Sequence, residues 1–324
     1  MSERIATLAA ITGVIAMKNR VLVIIVTYNG MKWIDRCLGS LKDSDEAVDV
    51  FVVDNGSTDG TPARVREICR GWFRETANDG SGWWLAGLVE PGENLGFGGA
   101  NNIGLRYALE NGYSYVYLLN QNAWIQHDTI TALVRDFEKD GSYGILSPIQ
   151  TCADGTRPDP RFEAKCGKYL PDRKSLLPGR KDVYDVPFVM AAHWMISRKC
   201  LEAVGGFSPA FHHYGEDDNY IHRCLWHGFR CGVDITVIGV HDRATRVMDK
   251  ASRMRLKSIG STVQFSNPGN LLLFRIFWQP VKLFLTGLFY FSPTTMADAF
   301  RLIGSMPKLI RYRRLSRRGS AFLG

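Results

Sequence analysis

The chain has 324 residues, 45% of them hydrophobic and 22% charged, with 40 Lys+Arg against 32 Asp+Glu for a net charge of +8. That length holds one large domain or two small ones, and the composition is that of a globular protein. Its seven cysteines are scattered and form no Cys-x-x-Cys pair, which excludes a disulfide framework or a zinc site and predicts a reducing compartment.

Charge is uneven along the chain. From Lys250 onward there are 13 Lys+Arg and one acid, Asp298, so the remainder is mildly acidic. This asymmetry predicts a polyanionic partner, either nucleic acid or an anionic membrane surface. Residues 5–16 form an apolar run too short to span a bilayer. We read 1–20 as an N-terminal extension, with Met17 as an alternative start.

Residues 21–27 (Val-Leu-Val-Ile-Ile-Val-Thr) are apolar without alternation, which predicts a strand buried on both faces, as in a parallel sheet. Ile34, Leu38 and Leu41 have helical spacing. A second buried strand over 48–53 ends in Asp54-Asn55-Gly56-Ser57, and Thr61-Pro62 opens the next helix. Residues 85–90 predict a third strand. Residues 94–104 (Asn-Leu-Gly-Phe-Gly-Gly-Ala-Asn-Asn-Ile-Gly) read as a loop entering a helix around 103–111. A fourth strand over 115–119 ends at Asn120-Gln121-Asn122, and Asp128 caps a helix over 129–139. Repeated strand, loop and helix units predict an α/β layered sheet, with ligands outside the carboxyl ends of its strands. Asp54, the glycine loop and Asn120 to Asn122 should therefore converge on one crevice. The loop is neither a P-loop nor a Gly-x-Gly-x-x-Gly after the first strand, so dinucleotide redox chemistry is disfavoured.

Residues 151–186 read as an irregular excursion, 187–197 as a buried apolar segment, 200–204 as a short helix and 229–240 as a strand ending at His241. Within them Phe211-His212-His213-Tyr214-Gly215-Glu216-Asp217-Asp218 sets three acids behind aromatic residues, before a helix over 219–227. Carboxylates crowded at a partly apolar edge are candidates for general-base work. Residues 268–293 are apolar but interrupted by Arg275, Pro280 and Lys282, which favours an amphipathic segment in the interface over a spanning helix. The Lys- and Arg-rich 308–318 suits anionic headgroups. Base-stacking modules and a recognition helix are not visible, so nucleic acid is disfavoured as the partner.

In order, type and spacing these motifs resemble the family 2 glycosyltransferases, inverting enzymes of the GT-A fold that use nucleotide-sugar donors. The matching stretches are Val26-Thr27-Tyr28-Asn29-Gly30, Val52-Val53-Asp54-Asn55-Gly56-Ser57-Thr58-Asp59, Glu93-Asn94-Leu95-Gly96-Phe97-Gly98-Gly99-Ala100-Asn101-Asn102-Ile103-Gly104, Leu118-Leu119-Asn120-Gln121-Asn122-Ala123, Val204-Gly205-Gly206-Phe207, Tyr214-Gly215-Glu216-Asp217-Asp218 and His241. Asn-Gln-x-Ala-Trp and His-Asp-Arg look like the bacterial branch that builds cell-surface polysaccharides, with rhamnosyltransferase-like members. The resemblance implies a GT-A domain over 21–265, and the apolar and basic composition beyond it predicts a membrane-associating region over 266–324.

The same resemblance implies the site. Thr27, Tyr28 and Asn29 would line the nucleotide pocket, and Asp54 would accept the pyrimidine N3–H. Asn94, Gly96, Gly98, Gly99 and Asn102 would close over the nucleoside and sugar. Asn120 to Asn122 take the place of the family's metal-binding Asp-x-Asp. Asp217 would be the general base, with Trp194, His213, Tyr214, Glu216 and Asp218 on the acceptor side, and His241 a metal or diphosphate contact. Asn122 departs from the pattern, because the family has aspartate there and an amide brings no charge to Mg²⁺ or Mn²⁺. Three readings follow: a weakened metal site completed by His241 and Asp242, a metal-independent enzyme using Arg243 or Arg246, or an impaired enzyme. The expected activity is addition of one sugar, from a dTDP-rhamnose-like or UDP-sugar donor, to a lipid-linked or polysaccharide acceptor at the cytoplasmic face of the membrane. A non-catalytic sugar-nucleotide-binding module is the alternative.

Overall fold

A computed structural model describes residues 20–70, 84–171, 181–243 and 249–323. The expectations for 1–19 and for Arg246 lie outside them. Among the described residues there are nine strands in one sheet. They are β1 (Val21–Thr27), β2 (Asp49–Asp54), β3 (Trp84–Val89), β4 (Tyr115–Asn120), β5 (Ala123–Ile125), β6 (Tyr143–Thr151), β7 (Val183–Asp185), β8 (His193–Ser197) and β9 (Arg230–His241). The order is β3-β2-β1-β4-β8-β6-β9-β5, with β7 also on β9. β3, β2, β1 and β4 run parallel, as do β6 and β9, while β8 is antiparallel to both β4 and β6.

Helices cover both faces of this sheet. They are α1 (Ile34–Lys42), α2 (Thr61–Cys69), α3 (Gly96–Glu110), α4 (Thr129–Lys139), α5 (Pro160–Cys166), α6 (Arg198–Val204) and α7 (Glu216–Trp226). The lack of alternation in β1 has its cause here. Val21, Val23 and Ile25 pack into one core with Ile34, Leu38 and Leu133, while Leu22 and Ile24 pack into the other with Leu105, Leu201 and Ile221. A strand covered on both faces needs apolar residues at every position. The fold is the mixed α/β, mostly parallel arrangement that the sequence predicted.

Four readings change. α3 begins at Gly96, inside the segment read as a loop, because its glycines give close packing that outweighs their poor helix propensity. An added Cβ at Gly98 would lie 2.8 Å from the Phe207 Cβ. α7 starts at Glu216, so the three acids form a helical first turn, where the helix dipole favours negative charge. The strand β6 has no counterpart in the reading of 140–151. Its Gln150 hides a polar side chain by donating from Nε2 to the Met190 carbonyl at 2.8 Å. The excursion over 151–186 contains α5, capped by Asp159 accepting from Arg161 N and Phe162 N, and also β7.

Three further helices, α8 (Lys250–Ser266), α9 (Leu272–Phe289) and α10 (Pro293–Leu315), pack on one another. The expected break at 265/266 therefore cuts through a helical layer that includes α8. Arg313, read as a headgroup-binding cation, is buried and donates to the carbonyls of Phe265, Asn267, Pro268 and Asn270, where it satisfies orphan groups past the end of α8. After α10 the chain returns to the sheet domain. Gly206 N donates to Ala321 O at 2.7 Å, Arg106 Nε to Leu323 O at 2.8 Å, and Leu323 joins the core above α3 and α6.

Candidate active site

Parallel pairing sets Thr27 beside Asp54 and Val26 beside Asn120, so the loops after β1, β2 and β4 emerge together. They are locked to one another. Asp54 is buried and accepts from Thr27 Oγ1 (2.7 Å), Ser57 Oγ (2.6 Å), Ser57 N (2.8 Å) and Gly56 N (3.2 Å). Asn29 Oδ1 accepts from Thr58 N at 2.9 Å. Gln121 exchanges two hydrogen bonds with the Tyr28 backbone, at 2.9 and 3.0 Å. Asn55 holds the start of α3, accepting from Leu95 N at 3.2 Å and donating to Gly96 O at 3.3 Å. Gly96 sits at φ +73°, and an added Cβ would fall 2.2 Å from His212 O, so this turn requires glycine.

These loops border a cleft of about 540 Å³ over the strand ends. Tyr28, Asn94, Gly96, Asn120 and Asn122 face it. Thr27, Asn29, Asp54, Gly98, Gly99 and Asn102 do not. Thr27 and Asp54 spend their polar atoms on each other and on the loop. Asn102 clamps the Phe207 backbone, donating to its carbonyl at 3.0 Å and accepting from its N–H at 2.6 Å. Sequence reasoning missed Asn55, Phe97 and Arg255 here. The first two stand inside the quoted motifs. Arg255, on α8, has no local signal.

A second cleft of about 610 Å³ adjoins the first, sharing Phe97, Asn120 and His213. Glu216, Asp217 and Asp218 line it together with Tyr214 and the cations Arg161, Lys165 and Arg243, while Leu256, Ile259 and Val263 of α8 form an apolar wall. Gly215, at φ +88°, lets that wall close on α7, since its Cβ would lie 2.8 Å from both Ile259 and Val263. Trp194 is not in the cleft. It is fully buried, donates Nε1–H to Val189 O at 3.1 Å and stacks against Phe207, so its place on the acceptor side is corrected to a core position.

Burial dominates the electrostatics. It pushes Asp217 up to about 6, with the neighbouring Asp218 charge adding to the shift. Glu216 is pushed up to about 7, first by burial and then by Asp217, and its Oε2 has no hydrogen-bond partner among the described residues. Asp218 is raised by burial, against the pull of Lys165. Burial holds His241 down at about 3, with Arg243 and His193 adding to the effect, so it is a neutral imidazole at neutral pH. Asp217 therefore remains ionised at neutral pH, and its raised pKa makes it a stronger base than an ordinary carboxylate, which suits a general base.

The residues expected to hold Mg²⁺ or Mn²⁺ do not fit one. Asn122 donates Nδ2–H to Asp242 O at 2.8 Å and can offer only its amide oxygen. His241 has a buried, unpartnered Nδ1. The Asp242 carboxylate is taken by Trp33 Nε1 at 2.7 Å and by Lys32 at 3.7 Å. Among the described residues no three His, Cys, Asp or Glu stand close enough to hold a metal ion. Among oxygen ligands for a hard cation it is the carboxylates that bring charge, and none lines the strand-end cleft.

The sequence model described as Glycosyl transferase family 2 matches residues 22–205. Uncharacterized protein Rv1525 of Mycobacterium tuberculosis and Uncharacterized protein Mb1552 of Mycobacterium bovis are each 32% identical over 126 residues, 39% of this chain and 44% of theirs. The alignment thus spans less than half of those relatives. Among solved structures, S. aureus TarS 1–349 is similar over 92% of this chain and 88% of its own, at 16% identity and a TM-score of 0.56. Its complex with UDP-GlcNAc gives 0.53 at 13% identity over the same shares. GalNAc-T7 with UDP, GalNAc and Mn²⁺ gives 0.57 at 13% identity, over 93% of this chain and 58% of that one. At these identities the likeness shows the fold, which is that of the GT-A enzymes.

Proposed function

Because the chain belongs to glycosyl transferase family 2, we propose that it moves a single sugar from a UDP- or dTDP-linked donor to a hydroxyl of a lipid-linked or polysaccharide acceptor, with inversion. The strand-end cleft takes the donor and the acidic cleft the acceptor. One observation carries this reading: the two clefts meet at Phe97, Asn120 and His213, so a sugar held at that junction borders Asp217. Asp217 takes the proton of the acceptor hydroxyl as its oxygen bonds to the anomeric carbon. The bond from that carbon to the diphosphate breaks, and its electron pair leaves with the nucleoside diphosphate. UDP and UDP-GlcNAc in the TarS structures, and UDP in that of GalNAc-T7, support a nucleotide-sugar donor. The test is release of UDP or dTDP from a panel of sugar nucleotides. Turnover that Asp217→Asn leaves unchanged would sink the role of this residue.

The same reading places the protein at the cytoplasmic face of a membrane. α9 is the one helix among the described residues long and apolar enough to cross a bilayer by composition, with mean hydropathy 1.3 over 18 residues and only 22% of it buried. It contains Pro280, Arg275 and Lys282 and packs on α8 and α10. At 1.5 Å per residue it spans about 27 Å, short of a ~30 Å hydrocarbon core. Leu273, Phe277, Phe289 and Phe291 are each more than 70% exposed, and Lys282, Lys308, Arg311 and Arg314 are exposed cations of the same helical layer. An apolar ridge with a cationic border suits an anionic bilayer surface. The seven unpaired thiols agree with a reducing side. Flotation with phosphatidylglycerol vesicles should carry the full chain, and Leu273→Glu with Phe277→Glu should abolish that. Equal flotation of the double variant removes this part of the reading.

A further inference from the structure

The donor reading leaves a charge unbalanced. A nucleoside diphosphate brings negative charge into the strand-end cleft, and more collects on it as the bond to the sugar breaks. Most GT-A chemistry of this kind assigns that charge to a carboxylate-held cation, yet the cleft offers amide oxygens and no free carboxylate. Among the residues lining it, Arg255 alone carries a permanent charge. Its side chain has no hydrogen-bond or ion-pair partner among the described residues, in a protein where most cations of the sheet domain are paired. It is also not adrift on a loop. It lies on α8 one residue before Leu256, and α8 is fixed against α7 by the contacts of Ile259 and Val263 with Gly215. A second cation, Arg243, lines the adjoining cleft with a buried and unpartnered Nη1.

We propose that Arg255 is the counter-cation of the donor diphosphate, doing with a fixed guanidinium what a divalent metal does where an Asp-x-Asp is present, and that Arg243 supports it from the acceptor side. This rests on the donor reading above and names the group that neutralises the leaving diphosphate. A guanidinium donates paired N–H groups to phosphate oxygens and stays charged throughout the reaction. The amide at Asn122 then costs nothing in charge, because no metal depends on it. The counter-cation comes from α8, beyond the stretch 22–205 that matches the family.

The experiment measures nucleotide binding by the full chain, using isothermal titration for UDP and dTDP and ligand-observed NMR for uridine, each in EDTA and in Mg²⁺. The expected result is diphosphate binding that persists in EDTA. Arg255→Gln should weaken UDP or dTDP at least about tenfold while changing uridine less than about twofold, and Arg255→Lys should recover part of the loss. Diphosphate binding that needs Mg²⁺ and ignores Arg255→Gln overturns the proposal while leaving the donor reading intact. Equal weakening of uridine and diphosphate also overturns it, since that marks a packing role. A wild-type chain that binds none of the three probes overturns the donor reading and this inference together.

Discussion

The two clefts share a border and differ in what they are made of. The strand-end cleft is lined by amides, the rings of Tyr28 and Phe97, two histidines and one arginine, beside loops whose polar atoms are mostly bonded to one another. The acidic cleft gathers three carboxylates in one helical turn, against three cations and an apolar wall. Amides and a guanidinium keep their charge state near neutral pH, whereas crowded, partly desolvated carboxylates are suited to moving a proton there. On the proposed reading, recognition and proton chemistry sit on either side of the border at Phe97, Asn120 and His213, and each property can be perturbed without the other.

The sharpest test of that separation is Asp217→Asn. Turnover should fall by about 10²–10⁴, the usual contribution of a general base, while UDP or dTDP affinity is unchanged by titration. On the other side, Gly96→Ala forces a Cβ toward His212 O in a left-handed turn. We expect KM for the donor to rise about tenfold or more with kcat less affected, read from initial rates. The pH dependence should follow the same division. Asp217 is ionised above about 6 and protonated below it, so kcat/KM should drop about tenfold per pH unit beneath that value, with nucleotide affinity flat. An affinity that titrates alongside turnover would break the comparison. Asp218→Asn gives the smallest effect. It removes a like charge that raises Asp217, so the acid limb of the profile should move to lower pH.

Much of the donor side could be read in the sequence because its motifs end strands that are buried on both faces, and the parallel register brings those ends together. What spacing did not carry was the direction of individual side chains. Thr27, Asn29, Asp54 and Asn102 bond to the loops and backbone around the cleft, an arrangement set by hydrogen bonds that spacing does not encode. Trp194 was misplaced because an aromatic residue near a polar motif reads the same whether it stacks inside or outside. α3 was read late because five of the residues from Gly96 to Asn102 are glycine or asparagine, poor helix formers overridden by packing on Phe207. Arg255 could not be found at all, since it reaches the cleft from a helix whose own pattern describes only its packing.

The return of residues 320–323 onto α3 and α6 carries a consequence for how the molecule comes into being. Arg106 waits for the Leu323 carbonyl across 217 positions of chain. At ~5–20 residues per second of synthesis, that wait is roughly 10–40 s. Throughout it the sheet can form its parallel strands, but the face of the core that Leu323 covers stays open and Gly206 N has no acceptor from Ala321. The exposed helical layer emerges within the same interval, so the nascent chain presents two apolar surfaces before either is covered. The core face closed by Leu323 is therefore the last part of the sheet domain that synthesis can complete.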